Sequence, residues 1–124
     1  MAARNDERPA VWIGHVVAPA HDLDAATDFY EAIGMRTIVR ADDVAIFELR
    51  GGTHLVVQHD AARAPGPLDF DLMVDDIAAT HATWQQAGLT VSEVTATRIH
   101  ESFTVHDPSG NTITVSSTHV VGPV

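Results

Sequence analysis

The chain has 124 residues, of which 45% are hydrophobic and 19% charged, a composition typical of one globular domain with a substantial core. The formal charge of −10 argues against nucleic-acid binding, and the absence of cysteine excludes disulfides and thiolate metal sites. The apolar runs are too short to cross a membrane, and residues 1–10 lack the apolar core of a secretion signal. We therefore expect a disordered leader over residues 1–10 and a cytoplasmic protein without nucleic-acid or membrane partners.

The first half of the chain predicts the element order β-α-β-β-β. Residues 11–19 (VWIGHVVAP) are rich in β-branched side chains, which predicts a buried strand. A helix follows, because Asp22 or Asp24 can cap it, apolar residues recur at helical spacing, and Gly34 can end it. Three strand-like runs come next, separated by Asp-Asp and Gly-Gly turns, at residues 35–41, 44–50 and 53–59.

The same order restarts after a short linker rich in alanine and proline, residues 61–67. A strand is predicted over 68–74 and a helix over 76–87, and three more strands are predicted near 90–95, 102–105 and 112–117. We therefore expect one domain over residues 11–118, made of modules 11–60 and 68–118. The tail, residues 119–124, either frays or packs on a partner.

An internal repeat supports the two modules. Residues 22–35 (DLDAATDFYEAIGM) return in altered form as residues 76–89 (DIAATHATWQQAGL), at an offset of 54. The same offset places His15 on Asp69, each in the first strand of its module. Two potential metal ligands in equivalent places indicate a duplicated, pseudo-symmetric pocket.

At this point the chain resembles the vicinal oxygen chelate superfamily, which includes glyoxalases, bleomycin resistance proteins and extradiol dioxygenases. The resemblance rests on residues 14–17 (GHVV), residues 28–35 (DFYEAIGM), the repeated helix, and residues 107–114 (DPSGNTIT). It implies an α+β fold in which two tandem βαβββ modules form a curved mixed sheet shaped as a cup. It also implies a homodimer, because single chains of this length usually pair in that superfamily.

In metal-using members the cup holds a divalent ion through the first and fourth strands of each module. Carried over residue by residue, these positions fall on His15, Val56, Asp69 and Thr114. Valine cannot bind a metal and threonine is a poor ligand, so the expected set is reduced to His15 and Asp69. No cofactor follows from the sequence itself, and the one that the resemblance implies is a divalent ion: Fe, Mn, Ni or Zn.

The alternation of side chains along each strand predicts which further residues face the cup. The lining is polar, which suits a polar ligand better than an ordinary core. We predict His15, Asp69 and His100 as candidate catalytic residues, with His15 and Asp69 also as candidate metal ligands. The candidate ligand-binding residues are His54, Gln58, Asp71, Ser102, Thr104 and Thr114.

Other residues are given structural interpretations. Phe29, Tyr30 and Trp84 are predicted to pack in the core from the helices, and Asp107, Pro108 and Gly110 are predicted to form a turn. The remaining histidines are predicted to be solvated: His21, His59, His81, His106 and His119.

Two functions follow from the resemblance. The first is the binding of a small polar or cationic molecule in a dimeric cup with an incomplete metal site, in a drug-sequestering or ligand-binding role. The alternative is a divalent-metal-dependent lyase, isomerase or dioxygenase that uses His15 and Asp69. A metal-free enzyme with the same two residues as an acid–base pair is a third possibility.

Overall fold

The computed structural model describes residues 7–120 and 122–124, and its fold is α+β with two tandem βαβββ modules, as predicted. The first module comprises β1 (His15–Ala20), α1 (Leu23–Ala32), β2 (Arg36–Arg40), β3 (Val44–Glu48) and β4 (His54–His59). The second comprises β5 (Pro67–Val74), α2 (Ile77–Gln86), β6 (Thr95–Ala96), β7 (Glu101–His106) and β8 (Thr112–Ser117). Of the predicted leader, residues 1–6 lie outside the described residues, and residues 7–10 are exposed and contain neither helix nor strand.

Each module forms one four-stranded mixed sheet. The order is β1-β4-β3-β2 in the first and β5-β8-β7-β6 in the second. The first strand of each module is parallel to the fourth, and the remaining neighbours are antiparallel. The two sheets meet where β1 contacts β5. The first strands of both modules therefore lie at the centre of the molecule.

Both helices cover the same side of the two sheets. Apolar residues of α1 and α2, including Tyr30 and Trp84, join alternate strand residues such as Leu55 and Val115 in one buried cluster. Because this cluster contains the helix-facing residues of both sheets, their other faces are directed together away from the helices. We call this second side the open face. Within the described residues, neither helix is long and apolar enough to cross a membrane.

The repeated segment forms two helices with matching ends. The side chain of Asp22 accepts hydrogen bonds from the first-turn N–H groups of α1, and Asp76 does the same for α2. After the helices the chain turns at Gly34 and Gly88, whose φ values of 111° and 85° favour glycine. The repeat therefore conserves the caps and the turns, which fix where each helix begins and ends.

The first predicted strand is wrong in its first four residues. Strand β1 begins at His15, and the preceding residues Val11, Trp12 and Ile13 are 82%, 65% and 63% exposed. We call residues 11–13 the arm. Ile13 accepts a hydrogen bond from the hydroxyl of Thr53. Within residues 7–120 and 122–124 the arm has no strand partner, so its β-branched composition does not place it in the sheet.

The strand predicted near residues 90–95 is reduced to β6 and an isolated bridge between Val91 and Val105. Ser92 lies between these two pieces, and its N–H donates to the carbonyl of Thr104. Its hydroxyl oxygen accepts from the N–H of Thr104, where a regular ladder would use a backbone carbonyl. A side chain thus replaces the backbone in the pairing and interrupts the strand.

A buried carboxylate joins the two modules. Asp107, at 6% exposure, begins the turn between β7 and β8. Its Oδ1 accepts from the backbone N–H groups of Ser109 (3.0 Å) and Asn111 (2.9 Å). Its Oδ2 accepts from the Asn111 side chain and from the hydroxyl of Tyr30 in α1, both at 3.0 Å. The turn prediction is confirmed, and Tyr30 is a core residue that also carries an inter-module hydrogen bond.

The same turn contacts the end of β1. The Nδ2 group of Asn111 donates to the carbonyl of Pro19 at 3.0 Å, and the hydroxyl oxygen of Ser109 accepts from the N–H of His21 at 2.9 Å. These bonds come from residues that are largely removed from water, where an unpaired polar group is costly. They therefore hold the second module against the first in one orientation.

We predict that Tyr30→Phe lowers the free energy of unfolding by about 1.5–3 kcal/mol, the range for hydrogen bonds to charged groups. The ring still fills its place in the core, but the buried Asp107 loses one of its four donors. Urea unfolding measures the change. The control Thr114→Val removes a hydroxyl that faces solvent on the open face, and it should change stability by less than about 0.5 kcal/mol. Equal effects of the two variants would contradict the link.

Tyr30 also makes stability depend on alkaline pH. Burial, followed by the charge of Asp107, raises the pKa of the Tyr30 phenol above its ordinary value. The folded state therefore retains the phenolic proton to higher pH than the unfolded state does. The resulting stability is fully present below about pH 10 and falls above it by up to about 1.4 kcal/mol per pH unit.

We predict that phenolate absorbance appears only as the protein unfolds. Tyr30 is the only tyrosine, and the chain has no lysine or cysteine to titrate in the same range. Parallel titrations by absorbance near 295 nm and by circular dichroism should therefore coincide. The variant Tyr30→Phe should lack the alkaline fall in stability between about pH 10 and 12. A phenolate signal from the folded protein near pH 10 would show that Tyr30 is not held in this way.

Candidate functional site

The open face of the first module carries His15, His54 and Gln58. In β4 the helix-facing residues Leu55 and Val57 are fully buried, whereas the alternate residues, beginning with His54, are half-buried or exposed. The register pairs His15 with His54 at the start of β1 and β4. Gln58 pairs with Pro19 at the other end of the same two strands. The two histidines are therefore adjacent, and Gln58 is four residues along the strand from His54.

The two histidine rings contact one another. Their centroids are 5.5 Å apart and their planes meet at 83°. Among the described residues, neither ring has a hydrogen-bond or ion-pair partner. A cavity of about 450 Å³ lies beside them, lined also by the arm residues Val11 and Trp12 and by Gly52. The rings are therefore free to bind a molecule that enters from this side.

The open face of the second module carries rows of polar side chains. Asp71 in β5 pairs with Thr114 in β8, which pairs with Thr104 in β7. A second row joins Met73, Ser116 and Ser102 in the same strand order. Ser116, in the middle of this second row, is only 5% exposed, whereas Thr114 in the middle of the first row is exposed. The second row is therefore less accessible at its centre. The structure thus brings together four of the predicted ligand-binding residues on one surface: Asp71, Ser102, Thr104 and Thr114.

Asp69 lies in an irregular part of β5. The register shifts between Pro67 and Asp71, so Asp69 has no strand partner, and its side chain is exposed between the half-buried Leu68 and Phe70. Neither Asp69 nor Asp71 has an ion-pair or hydrogen-bond partner among the described residues. Two carboxylates on one strand face, about 6.6 Å apart along the backbone, are therefore not neutralised by the protein.

Among the described residues, no hydrogen bond or ring contact joins His100 to the other two candidate catalytic residues, His15 and Asp69. It precedes β7, and its Nδ1 donates to the carbonyl of Ser117 at 2.9 Å, at the end of β8. Its ring contacts that of His119, with centroids 4.4 Å apart. These partners belong to the end of the second sheet, whereas His15 lies beside His54 in the first. Its predicted catalytic role stays a prediction, without support from contact with His15 or Asp69.

An ion pair lies on the open face of the first module. Glu48 pairs in register with His54 on one side and with Arg36 on the other. The guanidinium of Arg36 forms a salt bridge with the Glu48 carboxylate. The alternation with buried Phe47 is the signal that could have placed Glu48 on this face. Its charge is compensated, unlike the charges of Asp69 and Asp71.

One histidine interpretation is corrected. His81 of α2 was predicted to be solvated, but its Nε2 lies 2.8 Å from the carbonyl of Ser92 and its ring contacts Phe103 with centroids 5.0 Å apart. The interrupted strand near Ser92 runs close to this face of α2, which helical spacing alone does not reveal. His81 therefore has a structural role in holding that segment.

The residues present do not fit the set of four metal ligands that the resemblance to the vicinal oxygen chelate superfamily implies. Val56 pairs with Val17 and Ile46, so its place in the set is surrounded by apolar side chains. Thr114 supplies only a hydroxyl between Asp71 and Thr104. Within the described ranges, no three histidine, aspartate or glutamate side chains are grouped as metal ligands. The set cannot be completed from side chains near His15 and Asp69.

The sequence matches one protein-family model over most of its length. The model of the family described as "Glyoxalase-like domain" matches residues 15–116, from the start of β1 to near the end of β8. No curated protein matches the sequence closely enough to count as a relative.

Solved structures share the fold at low sequence identity. Lactoylglutathione lyase from Agrobacterium tumefaciens superposes with a TM-score of 0.75 at 21% identity, over 89% of this chain and 96% of that one. A glyoxalase/bleomycin resistance protein/dioxygenase superfamily member from Sphaerobacter thermophilus gives 0.74 at 17%, over 87% and 98%. A bleomycin-binding protein complexed with bleomycin gives 0.70 at 17%, over 89% and 100%. These likenesses confirm the fold that the resemblance predicted.

Proposed function

The chain belongs to the glyoxalase-like domain family, and from this premise we propose that it binds a small polar or cationic molecule on its open face, as a homodimer. Its role is then ligand binding or drug sequestration. The family premise is compatible with this role, since one of the structural neighbours is a bleomycin-binding protein crystallised with its ligand.

The observation that carries the proposal is the pair of uncompensated carboxylates, Asp69 and Asp71. Both are exposed on the open face of β5, and neither has a partner among the described residues. The formal charge of −10 adds a negative field that concentrates cations near them. A ligand with a positive group would supply the missing partner, and Thr104 and Thr114 offer hydroxyls beside it.

Apolar groups next to the carboxylates indicate that the ligand also has an apolar part. Met73, two residues beyond Asp71, is 54% exposed, and Val17 of the neighbouring β1 is 53% exposed. Pockets for small molecules combine such apolar surface with a few polar groups that fix orientation. The open face thus suits a cation attached to an apolar body.

The proposed dimer rests on the exposed arm. Three consecutive large apolar side chains, Val11, Trp12 and Ile13, are mostly in contact with water in the single chain. A second cavity, of about 910 Å³, separates the arm from Val120 and Val124 of the tail, which are also exposed. Apolar surface of this kind marks interaction sites, and a second copy of the chain would cover it.

A metal-dependent lyase, isomerase or dioxygenase is the second candidate. It is favoured by His15 and Asp69, which occupy equivalent places in β1 and β5. It is also favoured by the similarity of the fold to that of a lactoylglutathione lyase. It requires an ion that both residues bind, together with at least one more ligand from the substrate or solvent. The absence of a third grouped side chain in the described residues makes it the weaker candidate.

We predict that cations bind the open face and anions do not. Benzamidine and benzoate have similar size and opposite charge, so NMR titration of the 15N-labelled protein separates charge from shape. The amide chemical shifts of residues in β5 and β8 should change on addition of benzamidine and stay unchanged on addition of benzoate. The double variant Asp69→Asn/Asp71→Asn should weaken benzamidine binding at least about tenfold, because the ligand's cation loses both partners.

The matched control is Asp42→Asn/Asp43→Asn, which removes the same charge from the exposed β2–β3 turn and should leave binding within about twofold. Metal-free bleomycin, titrated by calorimetry, tests the drug-sequestering role with the same variants. Binding of benzoate as strong as that of benzamidine, or equal losses in both double variants, would contradict the proposal.

We also predict that the protein sediments at about twice its chain mass of 13.3 kDa. Ile13→Glu should shift the equilibrium toward the single chain, because a charge in the arm would have to be buried in the interface. Val94→Glu adds the same charge at an exposed apolar residue outside the arm and should leave the dimer intact. A single-chain mass for the unaltered protein at micromolar concentration would rule out the dimer.

A further inference from the structure

We propose that His15 and His54 form a binding site for a divalent d-block metal ion, with Cu²⁺ as the preferred ion. The site uses the first residues of the neighbouring parallel strands β1 and β4. It differs from the metal set implied by the resemblance, because it replaces the Val56 position with His54 and uses neither Asp69 nor Thr114. It stands independently of the proposed ligand function.

The separation of the two rings fits one shared ion. A ring nitrogen lies about 1.1 Å from the centre of an imidazole and about 2.0–2.1 Å from a bound ion, so two rings on one ion have centroids roughly 4.5–6.3 Å apart. The observed separation is 5.5 Å. The two ring planes meet at 83°, so a shared ion requires rotation about the side-chain bonds to direct one nitrogen of each ring toward it. Because His15 is exposed and His54 half-buried, the side chains have room for this rotation.

Free ring nitrogens distinguish this pair from four of the six other histidines of the chain. Four other rings lie within hydrogen-bond distance of backbone carbonyls, which occupies one nitrogen of each: His21, His59, His81 and His100. No such bond involves His15 or His54 in the described part of the chain. Neutral imidazoles with free nitrogens are ligands for copper, nickel and zinc, whereas calcium and magnesium prefer oxygen.

The surroundings leave room for the rest of the coordination sphere. The cavity of about 450 Å³ opens onto both histidines, so water or a donor atom of a bound molecule can complete the site. With only two protein ligands, the ion that binds nitrogen donors most strongly is favoured, and this is Cu²⁺ in the order of divalent stability. Trp12 lines the same cavity, which places an indole close to the ion.

Titration of the untagged, EDTA-treated full-length protein with Cu²⁺ tests the site. We expect one ion per chain by calorimetry, quenching of Trp12 fluorescence, and an electron paramagnetic resonance spectrum with two nitrogen ligands. The second tryptophan, Trp84, is buried, so Trp12→Phe should remove most of the quenching without weakening the binding measured by calorimetry.

The variants His15→Ala and His54→Ala should each weaken Cu²⁺ binding at least about tenfold, because each leaves a single imidazole. Their circular dichroism and melting temperatures verify that they are folded. Two controls should leave the affinity unchanged: Asp69→Asn, which separates this site from one that uses His15 with Asp69, and His119→Ala, which disrupts the other close ring pair.

Several results would overturn the proposal. Binding that survives in both His15→Ala and His54→Ala, or that is lost in His119→Ala, would place the ion elsewhere. Loss in Asp69→Asn would favour the metal-dependent enzyme instead. One ion per two chains would indicate an ion held between copies, and a spectrum with fewer than two nitrogen ligands would contradict the shared site.

Discussion

The arrangement of the two modules depends on the carboxylate of Asp107, which is buried in the turn between β7 and β8 and accepts four hydrogen bonds. Three of its donors belong to its own turn, and the fourth, Tyr30, belongs to the helix of the other module. A buried charge requires this degree of compensation, because its desolvation would otherwise cost several kcal/mol. The turn is thus held in shape by the same group that fixes it against α1, and through Asn111 it also reaches the end of β1.

Because the modules are joined through this turn, the side chains on the open face are not needed to hold them together. Most of the buried polar groups lie in the turn, and in the described part of the chain the side chains of His15, His54, Asp69 and Asp71 have no hydrogen-bond or ion-pair partner. Such groups contribute little to stability while exposed, but they are available for a ligand. The two modules offer different chemistry: imidazole nitrogens at the start of β1 and β4, and carboxylates with hydroxyls on β5, β7 and β8.

Much of the fold could be predicted from local pattern, and the site only in part. The caps at Asp22 and Asp76 and the alternation along the strands are local features of the sequence, so they predict the helices and which strand residues face away from them. The arm was misplaced because β-branched composition does not reveal whether a strand partner exists. The bond between Tyr30 and Asp107, 77 residues apart, has no local signal, and the pairing of His15 with His54 depends on a register that alternation does not specify.

The duplicated chain is not made of interchangeable halves. Tyr30 corresponds to Trp84, which has no hydroxyl. Asp107 corresponds to the apolar Leu49, because the β3–β4 and β7–β8 turns close with the same two backbone hydrogen bonds. A first-half fragment would therefore bury a phenol without an acceptor, and two such fragments could not pair into a symmetric substitute for the whole. Each module supplies a buried hydrogen-bond partner for the other. The domain therefore folds as one unit, although its elements repeat in two copies.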